Sequence, residues 1–150
     1  MLAATPSRLG VLTTGLTPEK LHTLPAPGEW SAVAVLAHMR ACADVWGGCI
    51  QRMLAEDHPT LRAINPRSWI KRTDYSDLAF QASLDAFATQ RAALLAALEA
   101  MSPAGWQRAA TVTGAGAVLE RTVRFYAEWL ARHEQPHVKQ IERLATALRC

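Results

Sequence analysis

Two histidines stand four residues apart near the end of the chain, in His133-Glu134-Gln135-Pro136-His137. On a helix that spacing puts both imidazoles on one face, about one turn apart, where two ring nitrogens can reach a single ion. Leu119, Val123, Tyr126, Leu130, Ile141, Leu144 and Leu148 form an apolar stripe at helical period, and the two histidines fall in its middle. Leucine or isoleucine would fill those places in a plain core. Buried imidazoles without partners are costly, and a metal ion satisfies both nitrogens at once.

His38 makes the same argument elsewhere, flanked by Val35, Cys42 and Val45 on the apolar face of another helical segment. A lone histidine there is commonly a hydrogen-bonded core residue. Beside a buried pair on a second helix it becomes a third ligand. Three protein ligands leave coordination positions open, the pattern of a catalytic rather than a structural zinc site. Cys42, one turn after His38, reads first as a small buried hydrophobe. Its other reading is a fourth, soft ligand or a group behind the ligands. His22, near a helix end, and His58, beside Pro59, lack such context and read as solvent-exposed.

The same five residues match H-E-x-x-H, the zinc metallopeptidase motif. Pro136 lies inside the match, where it removes a helical hydrogen bond and should kink the helix. No histidine follows His137, Glu142 is too close to serve as the usual third ligand, and no strand-rich cleft precedes the motif. The peptidase reading is therefore set aside.

The elements that must carry these residues are helical. Thr5-Pro6 and Thr17-Pro18 each read as a cap followed by proline at the first helical position, giving two short helices, or one broken one, ending near Pro25. Ser31 caps a long helix to about Glu56, with Arg40, Asp44 and Gln51 opposite its apolar face. Residues 57–76 read as a long loop, of the kind that is often functional. A third helix starts at Ser76 or Asp77 and ends at Ser102-Pro103. Residues 107–117 read as a short extended link, and the last helix runs from about Val118 to Leu148. The expectation is one all-α domain over residues 1–150, a helix bundle with long antiparallel partners.

Composition agrees with a globular chain: half of its 150 residues are hydrophobic and 19% charged. Three cysteines without paired spacing, Cys42, Cys49 and Cys150, argue against a disulfide framework. The net charge of +3 is scattered, densest at Arg62, Arg67, Lys71 and Arg72, with no stripe or motif for nucleic acid. No apolar run reads as a bilayer span, and the first residues lack the pattern of a signal peptide. The chain reads as a cytoplasmic protein without a nucleic-acid or membrane partner.

Several segments together resemble the DinB-like superfamily. Glu29-Trp30-Ser31 followed by Val35-Leu36-Ala37-His38-Met39 resembles the opening, in which W-S precedes the helix bearing the first histidine. Leu98 through Trp106 resembles the break after the third helix, and Val118 through Leu144 the closing helix, with His133-x-x-x-His137 and then Gln140-Ile141-x-x-Leu144. The resemblance implies a four-helix bundle of the DinB-like type. It implies a divalent metal, commonly nickel or zinc, held by His38, His133 and His137. Characterised members of that family include thiol-dependent S-transferases using bacillithiol, mycothiol or glutathione, and a mycothiol-dependent maleylpyruvate isomerase. Pro136 departs from the family pattern.

The leading expectation is a metal-dependent S-transferase acting on a small-molecule substrate, with the metal activating a low-molecular-weight thiol. Glu134 and Tyr126 are read as its proton-transfer or orienting groups, and the 57–76 loop, with Trp69 and Tyr75, as a cover for the substrate. The alternatives are a metal-dependent hydrolase using an activated water and a non-catalytic metal- or ligand-binding bundle. A homodimer is expected, suggested by the resemblance and by Trp129, which lies off the main stripe of the last helix.

Overall fold

Thr17, Ser31 and Thr122 each turn a hydroxyl onto the backbone N–H three residues ahead, at 3.3, 3.1 and 3.0 Å, and each starts a helix. Such caps satisfy amides that the first turn would otherwise leave open. In the computed structural model, which describes residues 1–150, these and three further starts give α1 (Thr5–Leu12), α2 (Pro18–His22), α3 (Ala32–Ala55), α4 (Pro66–Trp69), α5 (Phe80–Glu99) and α6 (Val123–Leu148). Thr5 is not the expected cap. It lies inside α1, and its hydroxyl reaches across to Glu134 at 3.1 Å.

The long helices α3, α5 and α6 and the shorter α1 form the bundle. α3 packs on α5 and α6, and α1 closes the other side against the same two helices. The core falls into two apolar clusters, one toward each end of the bundle. One gathers Leu9, Leu36, Met39, Phe80, Phe87 and Ile141, and the other Cys42, Ile50, Met53, Leu94, Tyr126 and Leu130. The histidines lie where the ends meet, between Leu130 and Ile141 on α6 and between Val35 and Cys42 on α3.

Three short strands join this frame: β1 (Thr60–Arg62), β2 (Ala109–Thr113) and β3 (Leu119–Thr122). β1 runs parallel to β2, with Leu61 opposite Val112, and β2 runs antiparallel to β3, with Val112 opposite Leu119. Leu61, Ala110 and Val112 point into the second end of the core, so the sheet works as a lid on the bundle. Arg108, just before β2, donates to the carbonyls of Met53 and Glu56 at 2.8 and 2.9 Å. It thereby occupies the open C-terminal carbonyls of α3.

The expected link at 107–117 is thus a strand and turn. The last helix begins at Val123 instead of Val118, because 119–122 pair with β2. The expected loop at 57–76 contains β1, α4 and two turns of 3₁₀ helix, and α5 starts at Phe80 after them. α3 is long and apolar enough to pass for a membrane span, yet most of its apolar stretch is buried inside the bundle as the core helix. α6 passes through Pro136 without a break, and Leu130, Ile141 and Leu144 stay inward on both sides of it.

Candidate metal centre

His38 comes from α3, and His133 and His137 come from successive turns of α6. Nε2 of His38 lies 3.1 Å from Nε2 of His133, and Nε2 of His137 lies 3.3 Å from that same atom. Two imidazole nitrogens bound at about 2.0–2.1 Å to one tetrahedral ion stand about 3.3–3.4 Å apart. The side chains are therefore spaced as ligands of one ion are.

Hydrogen bonding alone accounts poorly for this spacing. Gln140 Oε1, an acceptor only, lies 3.1 Å from Nδ1 of His137. That nitrogen therefore carries the proton, and Nε2 of His137 presents a lone pair. With all three rings neutral, at most one of the two Nε2 contacts can hold a well-formed hydrogen bond. A cation accepts all three lone pairs.

Burial, followed by repulsion between the rings, disfavours the protonated forms of His38 and His133. The pKa of His38 is pushed down to about 4, first by burial and then by repulsion from His137, His133 and Arg67. His133 is lowered by burial and by His137. Neutral imidazole is the form that binds metals. The ring planes are set by aromatic neighbours. Trp30 leans on His38 at 5.3 Å between centroids and lies nearly parallel to His137 at 6.4 Å. Trp46 meets His133 edge-on at 4.9 Å, and Trp129 stacks over it at 6.2 Å. Such walls limit ring rotation.

The sulfur of Cys42 belongs to the same group, 3.5 Å from Nε2 of His38. It forms, with His38 and His133, a set of ligand atoms all within 4.8 Å of one another. Burial pushes its thiol up to about 12, with a smaller contribution from Glu134.

Glu134 and Tyr126 have other partners. Glu134 is buried on the far side of α6, where its carboxylate takes a two-pronged ion pair from Arg91 of α5 and the Thr5 hydroxyl of α1. Tyr126 is buried beside the Cys49 thiol, and its hydroxyl is pushed well above its ordinary range by burial. Trp69 and Tyr75 fasten their loop to α3. Their N–H and O–H donate to Asp44 Oδ2 at 3.0 and 2.6 Å, while Gln90 holds Oδ1 at 2.6 Å. The loop residue that faces the histidines is Arg67. It lines, with Trp30, His137, Gln140 and Arg143, a cleft of about 650 Å³. His22 is exposed as expected, and exposed His58 lies 3.0 Å from Glu120.

Of these, Gln140 is readable from the sequence by its spacing of three from His137 on one helix face. Arg67 and Asp44 are not, because nothing local to their sequence tells where a loop will fold back.

A family model described as the DinB superfamily matches residues 1–141. Among solved structures, the chain is similar to YfiT from Bacillus subtilis, described as a probable metal-dependent hydrolase with an unusual four-helix bundle topology. The TM-score is 0.81 at 18% identity, over 98% of this chain and 83% of that one. At that identity the likeness speaks to the fold. No curated protein matches the chain.

Proposed function

The chain belongs to the DinB superfamily, and from that premise we propose a divalent-metal-dependent enzyme that transfers a low-molecular-weight thiol to a small electrophile. The observation that carries this reading is the convergence of three imidazoles, at 3.1 and 3.3 Å, beside an open cleft. His38, His133 and His137 would hold the ion, zinc or nickel by the chemistry of their donors. Bound there, the ion would supply Lewis-acid chemistry that lowers the pKa of a thiol reaching it.

The remaining work falls to the chain itself. Gln140 fixes the tautomer of His137, and Trp30, Trp46 and Trp129 fix the ring planes. Arg67 and Arg143 have no carboxylate partner and border the cleft, so they suit a thiol that carries anionic groups, such as bacillithiol, mycothiol or glutathione. Glu134 acts through the backbone of α6, holding its register while Arg91 and Thr5 occupy its oxygens. Tyr126 supports the packing behind His133. A homodimer remains part of this reading, supported by exposed Trp129 and Phe125, which stack at 6.3 Å. Light scattering tests it, and a mass of 16.4 kDa at micromolar concentration would refute it.

The second reading is a hydrolase in which water replaces the thiol as nucleophile. It is favoured by the description of the Bacillus subtilis structure. An assay with an aryl halide electrophile and glutathione, with and without chelator, separates the two. Turnover that needs both thiol and metal supports transfer. No turnover of the aryl halide, together with chelator-sensitive hydrolysis of an amide or ester panel without thiol, would overturn transfer in favour of hydrolysis.

A further inference from the structure

α3 and α6 each present a pair of metal-binding residues spaced i, i+4. On α6 the pair is His133 and His137, and on α3 it is His38 and Cys42. We propose that Cys42 is a fourth protein ligand of the same ion, so that sulfur forms the floor of the centre and the cleft beside His137 is left for substrate. This rests on the three-histidine reading above and adds to it a donor of another class.

Three observations carry it. The first is distance. A thiolate at about 2.3 Å and an imidazole at about 2.0–2.1 Å from one ion stand about 3.6 Å apart at the tetrahedral angle and about 4.4 Å apart when opposed. Sγ of Cys42 is 3.5 Å from Nε2 of His38, close to the tetrahedral value, while the ligand atoms of Cys42, His38 and His133 spread over 4.8 Å, so the sulfur has to close on His133 by at least about 0.4 Å to share its ion. The second is seclusion. Cys42 is fully buried and takes no part in lining the cleft. It would not compete with an incoming molecule for the mouth of the site. The third is contrast within the molecule. Cys49, two turns further along α3, faces Tyr126, and Cys150 is exposed and bonds the carbonyl of Thr146. Only Cys42 has an imidazole in reach.

On binding, the Sγ–H bond breaks, the proton leaves to solvent, and the sulfur donates an electron pair to the ion. Nothing is oxidised or reduced. Three neutral imidazoles leave a divalent ion with its full charge, whereas one thiolate halves it. Thiolate ligation also shifts preference toward zinc and cobalt and away from magnesium or manganese. Substrate would then bind as a fifth ligand from the cleft, an expansion known at catalytic zinc sites.

Cobalt(II) substitution reads the ligand set directly. Metal-stripped protein is titrated with cobalt(II) and its spectrum recorded for wild type, Cys42→Ala, Cys42→Val and the double variant Cys49→Ala with Cys150→Ala. The valine variant keeps apolar volume in the core, and circular dichroism checks that each variant is folded. Wild type and the double variant should show visible ligand-field bands and a near-ultraviolet sulfur-to-cobalt charge-transfer band. Both Cys42 variants should lose the charge-transfer band, keep altered ligand-field bands and bind cobalt at least about tenfold more weakly. Ligand-field bands in wild type without the charge-transfer band, or a charge-transfer band unchanged in Cys42→Val, would overturn the role of Cys42 alone. No ligand-field bands in wild type would overturn the three-histidine centre and the fourth ligand with it.

Discussion

His133 and Glu134 are neighbours on α6, yet they face two different polar regions, that of Glu134 buried and that of His133 half-buried. On one side Glu134 meets Arg91 and Thr5, and the carboxylate, guanidinium and hydroxyl satisfy one another. On the other side His133 meets His38 and His137, and burial, then repulsion between the rings, lowers the proton affinity of His38 and His133. The first region is complete within the chain. The second gathers three imidazoles with no opposite charge among them. The difference is one of chemistry: opposite charges are paired in one region, and like groups are gathered in the other.

The largest effect should come from breaking the complete region. Arg91→Met leaves the Glu134 carboxylate buried without its cation and should cost about 3–5 kcal/mol. Chemical denaturation measures it. Adding Glu134→Leu should recover most of the loss, and the folded double variant should still bind metal. Loss of metal from that variant would show that the two regions are not separable.

Pro136 sits between the two histidines of α6 in sequence. Its missing N–H leaves the Arg132 carbonyl without a helical donor. Because α6 keeps its inward face on both sides of the proline, Pro136→Ala should stabilise the fold by about 1–3 kcal/mol. It should shift metal affinity without abolishing it. Calorimetric unfolding and a metal titration of this variant decide. A lower Tm or complete loss of metal would mean that the proline sets the ligand geometry.

Acid should act more gently, and on the histidine region. The unfolded imidazole titrates near 6.5 and folded His38 near 4. Between those values the unfolded chain binds more protons, so the metal-free protein loses stability as pH falls through that window. The drop in Tm from pH 7 to 4.5 should be larger in wild type than in His38→Leu. Equal drops would remove the histidines from the account.

Much of this arrangement is legible in the sequence. The stripe on α6 and the face of α3 place His38, His133 and His137 inward, because helical period alone decides which residues share a face. The caps at Thr17 and Ser31 are legible for the same local reason. The sheet is not. Leu61, Ala110 and Val112 lie in three- to five-residue strands, and β1 pairs with a segment about fifty residues away. Such short runs leave no period to read. The partner of Glu134 is hidden likewise, since Arg91 lies 43 residues away. Cys42 is visible as a position one turn from His38, but its residue type suits a small hydrophobe equally well. Only the distance to the His38 ring distinguishes the two.

The most direct test of the account is metal content. Wild-type protein, metal-stripped and then reloaded with zinc or nickel and desalted, should retain about one ion per chain by elemental analysis. His133→Ala, treated identically, should retain almost none while keeping its helical circular dichroism. Equal metal in both proteins, or none in either, would contradict the claim that the three imidazoles form the centre.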